Sequence, residues 1–278
     1  MEIHLLASGS SGNCALIRAG RGSDRTTLVL DCGIALRTAR DLAAAAGAEL
    51  GAVDGVLLSH HHADHCSKVV PIAARAGCPL WAHPAALETH PATSAGERRR
   101  RRIEHRPFRS GEWFEAGAIR CLPVRLAHDA VPTHGFVFEA DGVRAGFFTD
   151  LGRTEEILPH LAAGLDLLVL EANHDPDLLA AGRYPPHLKR RVGGDRGHLS
   201  NDQAAAALAA AGARAPRRIA LAHLSEHNNR PELALAAAAA GLRRGGAVGV
   251  EPAAAPRRGL LRLAAGDGAA RPGARRRG

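Results

Sequence analysis

The chain contains 278 residues, of which 46% are hydrophobic, so it is long and apolar enough to bury a large core. Its formal net charge is +8 and its pI is about 10.2, which favours an anionic partner such as a nucleic-acid backbone. No segment approaches the roughly 18 apolar residues of a membrane span, and residues 1–6 are too short and too polar for a signal peptide. We therefore expect a cytoplasmic protein with no membrane partner.

The cysteines and two basic segments add to this description. The five cysteines are odd in number and lack C-x-x-C spacing, which indicates reduced thiols rather than a disulfide framework. Residues 266–278 form a basic tail whose composition predicts disorder. The internal arginine run at residues 98–102 has two interpretations, a track for nucleic acid or a solvated helix face or loop.

The chain begins with a pattern of strands. Residues 3–7 and 14–17 are predicted strands, joined into a hairpin by a loop rich in Gly, Ser and Asn. A further strand is predicted at residues 27–33. Residues 34–46 have a helical composition and end at Gly47, a typical helix stop.

A cluster of metal-binding side chains follows the apolar strand predicted at residues 53–58. The imidazoles of His60, His62 and His65 and the carboxylate of Asp64 suit zinc, manganese or iron. His60 and His62 occupy alternate positions and can point to one side of an extended segment, whereas Asp64 and His65 can turn to a second centre. The pattern therefore predicts two metals; a chance cluster or a loosely binding surface tract is the alternative.

The spacing H-x-H-x-D-H after a short apolar strand resembles the signature of the metallo-β-lactamase-fold hydrolases. This resemblance implies an α+β fold, a four-layer αββα sandwich, formed by residues 1–265 as a single domain. It implies that a third histidine, a bridging aspartate and a last histidine come from later strands. It also implies that Asp31, near the end of its strand, supports the metal site from behind.

Two of these later ligands have clear matches. His128 follows the strand predicted at residues 119–126, where the family's third histidine falls, and we assign it to the same metal as His60 and His62. His134 is its rival, and is interpreted either as a turn residue before the next strand or as a substrate contact. Asp150 follows a strand that ends in Thr-Asp-Leu-Gly, and the resemblance implies that it is the bridging ligand, although a helix N-cap is the alternative for this carboxylate.

The last ligand matches His223, which follows a predicted strand at residues 219–222 and completes the second site with Asp64 and His65. The same loop supplies Ser225 and Asn228, which we take as candidate substrate contacts.

Six ordered motifs narrow the family further. They are S-G-S-S-G-N at residues 8–13, H-D-A at 128–130, T-D-L-G at 149–152, E-x-N-H-D at 171–175, G-H-L-S-N at 197–201 and H-L-S-x-x-N-N at 223–229. Together they resemble the YycJ/WalJ-like branch of the superfamily. The resemblance implies a phosphodiesterase or exonuclease that acts on DNA, with RNA as the less favoured alternative. The donors suit two divalent ions, zinc or manganese, iron also being compatible.

The expected mechanism uses a hydroxide that bridges the two metals and attacks the phosphorus. Asp64 and His198 are the candidate catalytic residues, with His198 as a phosphate contact or proton donor. The helix predicted to begin after Ser200 would add backbone donors for an anion.

Two other functions remain open on the same residues. The first is hydrolysis of a small substrate, such as a cyclic phosphodiester, a thioester or a lactone, on the same binuclear centre. The second is a nucleic-acid-binding or regulatory protein with a vestigial site, against which the complete set of ligands argues.

Overall fold

The computed structural model describes residues 1–247 and 249–265 and contains two seven-stranded mixed sheets. Strands and helices are numbered in chain order. The first sheet has the spatial order β14 (Arg258–Ala264), β1 (Glu2–Ala7), β2 (Cys14–Ala19), β3 (Thr26–Cys32), β4 (Gly55–Leu58), β5 (Leu80–Ala82) and β6 (His105–Pro107). The second has the order β13 (Pro252–Ala254), β12 (Arg218–Ala222), β11 (Leu167–Glu171), β10 (Val143–Phe148), β9 (Thr133–Ala140), β8 (Ile119–Leu126) and β7 (Phe114–Ala116).

The helices connect these strands and cover the sheets. They are α1 (Leu36–Ala45), α2 (Ala63–Cys66), α3 (Val69–Ala76), α4 (Pro84–Leu87), α5 (Ala95–Arg100), α6 (Leu158–Ala163), α7 (Pro176–Ala181), α8 (Pro186–Val192), α9 (Asn201–Ala211) and α10 (Pro231–Arg244).

Side chains on successive strand positions separate into different layers, as the period of two in a strand requires. Leu28 and Leu30 of β3 join the core between the two sheets, whereas Val29 packs under the helices of the first sheet. In β11, Val169 faces the other sheet and Leu168 faces the outer helices. The core between the sheets and the two outer cores together make the four-layer αββα sandwich that the family resemblance implies, which confirms that expectation.

The strand directions bring the candidate site residues to one edge of each sheet. In the first sheet β3 and β4 are parallel, and in the second β10, β11 and β12 are parallel. Strand β8 also runs with β10, because β9 is antiparallel to both. The carboxyl ends of these strands carry loops fixed to a rigid scaffold, which is a common position for functional groups.

Several smaller expectations can be compared with the structure. Residues 98–100 of the arginine run lie in α5, where Arg98 pairs with Glu88 and Arg100 with Glu97, and Arg101, directly after the helix, also pairs with Glu97. All five cysteines, each within the described ranges, are free and buried. The predicted tail at residues 266–278 lies outside the described residues. Among the residues described, no helix is both long and apolar enough to span a bilayer.

Candidate metal centre

Three histidines form the first group of possible ligands. One nitrogen each from His60, His62 and His128 lies within 4.8 Å of the others. The Nδ1 of His60 lies 3.0 Å from the Ser59 hydroxyl, and the Nδ1 of His128 lies 2.9 Å from the carbonyl oxygen of Gly197. In the part of the chain that is described, the buried Nε2 atoms of His60 and His128 have no hydrogen-bond partner. Their outer bonds therefore orient two rings whose Nε2 atoms are available to a cation.

A second group contains Asp64, His65 and His223, whose ligand atoms also lie within 4.8 Å of one another. The Nδ1 of His65 lies 2.8 Å from Oδ2 of Asp31, so this carboxylate fixes the ring from behind. Asp31 is itself held, because its two oxygens accept from the backbone N–H and the hydroxyl of Ser59 at 2.8 and 2.6 Å. This contact suits the supporting role that the family resemblance implies for Asp31.

Asp150 lies between the two groups. Its Oδ1 is 3.9 Å from Nε2 of His128 and 3.5 Å from Nε2 of His223, and its Oδ2 is 3.3 Å from Nε2 of His65. The carboxylate is buried, and within the described residues its Oδ2 accepts no hydrogen bond. A carboxylate in this position can offer one oxygen to each group, as a bridging ligand must.

Backbone conformation supports a special role for three of these residues. Asp31, Asp150 and His223 have φ values of 56°, 63° and 56° respectively. Residues other than glycine seldom adopt this left-handed region, and holding them there costs about 1–3 kcal/mol each. All three of these residues have side-chain atoms among the ligand groups or in contact with them.

Glu171 connects the centre to its surroundings. Its Oε1 lies 2.8 Å from Nδ1 of His198 and 2.9 Å from Nδ1 of His223. Its Oε2 accepts from the backbone N–H groups of Leu151 and Leu199, both at 3.1 Å. Four donors on its two oxygens suit Glu171 to orienting imidazoles, and one of its oxygens also belongs to a further group of possible ligands with Asp150, His198 and His223. Sequence analysis placed Glu171 in a motif without a role; a carboxylate at the end of a buried strand was the available signal.

The charges around the centre differ between the two groups. Burial lowers the pKa of His60 well below its ordinary value, so this ring stays neutral and its Nε2 remains a donor to metal. Burial also opposes protonation of His65, but the charges of Asp150 and Asp64 outweigh it and raise the pKa to about 9. In the same way, burial lowers the pKa of His223, but the charge of Asp150 outweighs this effect, and the net pKa is raised. A divalent cation bound among these carboxylates would displace the imidazole protons.

The N-terminal loop packs closely against the second group. The backbone N–H of Asn13 donates to the carbonyl oxygen of Asp64 at 2.8 Å, and Asn13 Nδ2 lies 2.9 Å from Nε2 of His65. A Cβ added at Gly33 would lie 1.9 Å from the same Asp64 carbonyl, so only glycine fits at that position. These contacts fix the helical turn that carries Asp64 and His65.

A cleft of about 220 Å³ opens beside both groups. Both candidate catalytic residues, Asp64 and His198, line it together with Asp150 and His223. The His198 side chain is 19% exposed, and its Nδ1 lies 3.8 Å from Oδ1 of Asp150. His198 can therefore reach both a substrate in the cleft and the metal ligands.

Asp129 and Arg191 also line the cleft, and sequence analysis gave neither of them a role. Asp129 Oδ1 lies 3.5 Å from Nε2 of His62 and 3.3 Å from Nε2 of His128. Its Oδ2 accepts from Nε of Arg191 at 2.6 Å. Asp129 is thus a further carboxylate beside the first group, and Arg191 supplies a cation at the cleft wall.

The structure does not bring His134 to this cleft, so its assignment as a substrate contact is corrected. Within the described residues His134 is absent from the cleft lining, and its side chain is buried. Its Nε2 lies 2.7 Å from the Ser110 hydroxyl, and its ring stacks on His83 with centroids 5.4 Å apart. The ring of His134 therefore packs against the rings of His83 and Phe108 instead of contacting a substrate.

Ser225 and Asn228 are likewise corrected as substrate contacts. Both are buried, and neither is among the described residues that line the cleft. The Ser225 hydroxyl accepts from the backbone N–H of Asn228 at 3.2 Å, and the carbonyl oxygen of Asn228 accepts from the N–H of Asp175 at 2.8 Å. Their polar groups stabilise the loop after His223 and tie it to the start of α7.

The start of α9, predicted to add donors for an anion, uses three of its amides within the protein. A capping box forms as expected, in which Ser200 accepts from the N–H of Gln203 and Gln203 accepts from the N–H of Ser200. The N–H of Asn201 donates to the carbonyl oxygen of His174. The protein itself therefore satisfies these amides, and they are not available to an anion.

Comparison with known proteins agrees with this fold and geometry. A family profile described as the beta-lactamase superfamily domain matches residues 26–224. The chain is 29% identical over 244 residues to exodeoxyribonuclease YycJ of Bacillus anthracis, covering 84% of this chain and 86% of that protein. It is 30% identical over 233 residues to exodeoxyribonuclease WalJ of Streptococcus pneumoniae serotype 2, strain D39, covering 83% and 84%. The crystal structure of the metallo-β-lactamase-fold protein YhfI from Bacillus subtilis superimposes with a TM-score of 0.65 at 17% identity, covering 94% of this chain and 99% of that one.

Proposed function

This chain belongs to the beta-lactamase superfamily, in its YycJ/WalJ-like branch, and is a metal-dependent hydrolase; from that premise we propose that it is a phosphodiesterase that degrades DNA from an end. The observation that carries the proposal is the buried Asp150 between two groups of imidazole ligands at the base of a cleft. The names of the two relatives, both exodeoxyribonucleases, support DNA as the substrate. The basic balance of the chain, with a net charge of +8, also suits a phosphate backbone.

We propose that the centre holds two divalent cations, zinc or manganese, with iron also compatible with these donors. The ligands would be His60, His62 and His128 for one cation and Asp64, His65 and His223 for the other, with Asp150 shared. The free Nε2 atoms and the unpaired carboxylate oxygen at this place fit such a set. Divalent cations held by these residues would lower the pKa of a coordinated water to about 7 and offset negative charge on phosphoryl oxygens.

The residues of the chain then orient the substrate and move protons. With Nδ1 held by Glu171, His198 would use its Nε2 to contact a phosphoryl oxygen or to give a proton to the leaving oxygen. Asp64 acts as a ligand whose carboxylate also faces the cleft. Burial raises the pKa of Asp64, but the neighbouring His65 and His223 outweigh it and hold the pKa below its usual value, so the group remains ionised.

We also propose a cytoplasmic location. Genomic DNA is found there in bacteria, the source of both exodeoxyribonuclease relatives. The five free, buried cysteines suit a reducing compartment, where disulfides are rare.

The proposal is tested on single- and double-stranded DNA labelled at the 5′ or the 3′ end. Metal-stripped protein is resupplied with manganese or zinc, and the release of label is followed beside Asp64→Ala. The surface variant Asp41→Ala, which removes an exposed carboxylate far from the ligand motif in sequence, serves as the matched control. We expect metal-dependent release that Asp64→Ala abolishes and Asp41→Ala retains, and the order of products gives the polarity.

Turnover of bis(p-nitrophenyl) phosphate without any turnover of DNA would overturn the DNA assignment and favour a small phosphodiester. His198→Ala is measured in parallel. If it left both metal content and diester turnover unchanged, the role proposed for His198 would be wrong.

A further inference from the structure

A second cavity, which we call the arginine groove, adjoins the metal cleft. Its volume is about 700 Å³, within the roughly 300–1,000 Å³ of sites that hold small ligands. His128 and Arg196 line the arginine groove, whereas the residues that follow them in the chain, Asp129 and Gly197, line the metal cleft. The two spaces therefore border the same two segments of the chain.

The lining of the arginine groove has an excess of positive charge. Its charged side chains are three arginines and two carboxylates, namely Arg125, Arg153, Arg196, Glu156 and Asp195. Arg153 pairs with Glu156 at 2.8 Å. This pair leaves two arginines, Arg125 and Arg196, against the one carboxylate of Asp195, so the groove favours an anion.

Neither Arg125 nor Arg196 has a carboxylate partner among the described residues. Arg125 is exposed near the end of β8 and forms no hydrogen bond or ion pair with any residue in the described ranges. The Nε and Nη2 atoms of Arg196 each lie 3.4 Å from the carbonyl oxygen of His128, an acceptor without a formal charge. Both guanidinium groups can therefore take an anion, and their planar shape matches the oxygens of a phosphate.

The position of Arg196 connects the arginine groove to the metal centre. Its hydrogen bonds end on the backbone of His128, whose Nε2 is available to a cation, and His198, two residues after Arg196, lines the cleft. An anion held in the groove would thus lie beside the reacting group without occupying the metal ligands. A polynucleotide has a further phosphate on each neighbouring nucleotide, whereas a small diester has none.

We propose that Arg125 and Arg196 bind a phosphate of the DNA backbone beyond the reacting diester. The inference rests on the proposed nuclease function and adds the contact that distinguishes a polymer from a small diester. Phosphate contacts position a nucleic acid without reading its sequence, and each contact releases counterions, so that binding weakens as the salt concentration rises. Salt dependence and indifference to sequence are therefore the properties to measure.

The test compares wild type, Arg125→Ala, Arg125→Lys and Arg196→Ala, each loaded with manganese. The values of kcat/KM are measured over a range of salt concentrations on labelled DNA of two unrelated sequences, and on bis(p-nitrophenyl) phosphate, which has no neighbouring phosphate. Arg37→Ala is the matched control, because Arg37 on α1 is 88% exposed and is not among the described residues that line either cavity. The Arg125 variants test the groove even where Arg196→Ala disturbs the loop of His128, since Arg125 makes no hydrogen bond within the described chain.

We expect Arg125→Ala to lower kcat/KM on both DNA sequences by about 10-fold at low salt, and by at least fivefold more than on the ester. The plot of log kcat/KM against log salt concentration should become less steep by about 0.7–0.9, the value for one phosphate contact. Arg196→Ala should change the slope in the same direction. Arg125→Lys keeps the charge and should retain most of the wild-type slope, and Arg37→Ala should match wild type.

An equal loss on DNA and on the ester in Arg125→Ala would overturn the inference, because it would mean that Arg125 only maintains the metal centre. A salt slope and a kcat/KM on DNA like those of Arg37→Ala would also overturn it, and the proposed nuclease function would still stand. A wild-type protein that hydrolyses the ester but no DNA at all would instead refute the proposed function itself, and this inference with it.

Discussion

Replacing Glu171 by Gln tests how the protein keeps two histidines ready for their roles. The glutamate has four donors on its two oxygens, from the Nδ1 atoms of His198 and His223 and the backbone N–H groups of Leu151 and Leu199. A glutamine in either orientation presents an NH₂ group to two of these donors. The substitution therefore replaces two attractive contacts by repulsive ones without changing the volume of the side chain.

The magnitude follows from those two contacts. Hydrogen bonds to a charged group contribute about 1.5–3 kcal/mol each, so Glu171→Gln should lower the free energy of unfolding by about 3–6 kcal/mol. His223 can avoid the unfavourable contact in one way. Its Nδ1 can accept from the new NH₂ if the ring proton moves to Nε2, but that tautomer no longer offers Nε2 to a metal. Either way the change weakens metal binding, by about 10–100-fold for a contact of this kind.

The assay measures the zinc Kd by competition with a chromogenic chelator and the unfolding free energy in urea. Glu155→Gln is the matched control, since it makes the same chemical change at an exposed carboxylate that lies 3.9 Å from exposed Arg153, and surface pairs contribute about 0–1 kcal/mol. If Glu171→Gln bound zinc as tightly as Glu155→Gln and were equally stable, Glu171 would not orient the ligands, and our interpretation of the centre would be wrong.

Three further results are expected. Burial lowers the pKa of His134 from 6.5 to about 4, so between these pH values the unfolded chain binds a proton that the folded chain excludes. The neutral ring therefore contributes up to about 3 kcal/mol to the free energy of unfolding. This contribution is fully present above pH 6.5 and should be lost as the pH falls to 4. His134→Gln should flatten that part of the pH profile of unfolding, and an unaltered slope would contradict this. Gly33→Ala should reduce the metal content per chain, because its Cβ would meet the carbonyl oxygen of Asp64 at 1.9 Å. The control Gly96→Ala should keep its metal, because its Cβ would meet no described atom within 4 Å. Equal metal content in both variants would refute the packing argument. Removal of the metals by a chelator should lower the midpoint of thermal unfolding by about 10 °C, and added zinc or manganese should restore it. The reason is that a ligand at 1,000 times its Kd stabilises the folded protein by about 4 kcal/mol. An unchanged midpoint would show that the metals do not support the fold.

The resemblance to a family was sufficient for the layers of the fold, and the sequence for the local part of the site. The apolar run at residues 28–30 predicts a buried strand, but only the structure shows that Leu28 and Leu30 face one core and Val29 the other. Residues His60 to His65 stand together in the chain after one buried strand, so their proximity needs no tertiary information. His128, Asp150 and His223 come from distant strands, and only resemblance to a family indicated which of them belong together.

The rest of the site depends on contacts between distant residues. Glu171 acquires its role from His198, 27 positions away, and nothing in its own neighbourhood predicts that partner. Ser225 and Asn228 were placed at the substrate because they follow a ligand in sequence, but their hydrogen bonds turn inward to stabilise their own loop. Arg125 has no motif around it, and only the fold shows that it lines a cavity beside the metal centre.

The central claim is that Asp150 lies between two divalent cations, and anomalous diffraction from crystals of the metal-loaded protein tests it most directly. Data collected at the zinc or manganese absorption edge should show two peaks about 3.5–4 Å apart. One peak should lie beside Nε2 of His60 and His128 and the other beside Nε2 of His65 and His223, with Asp150 contacting both. A single peak, or a pair of peaks that Asp150 does not bridge, would contradict the account.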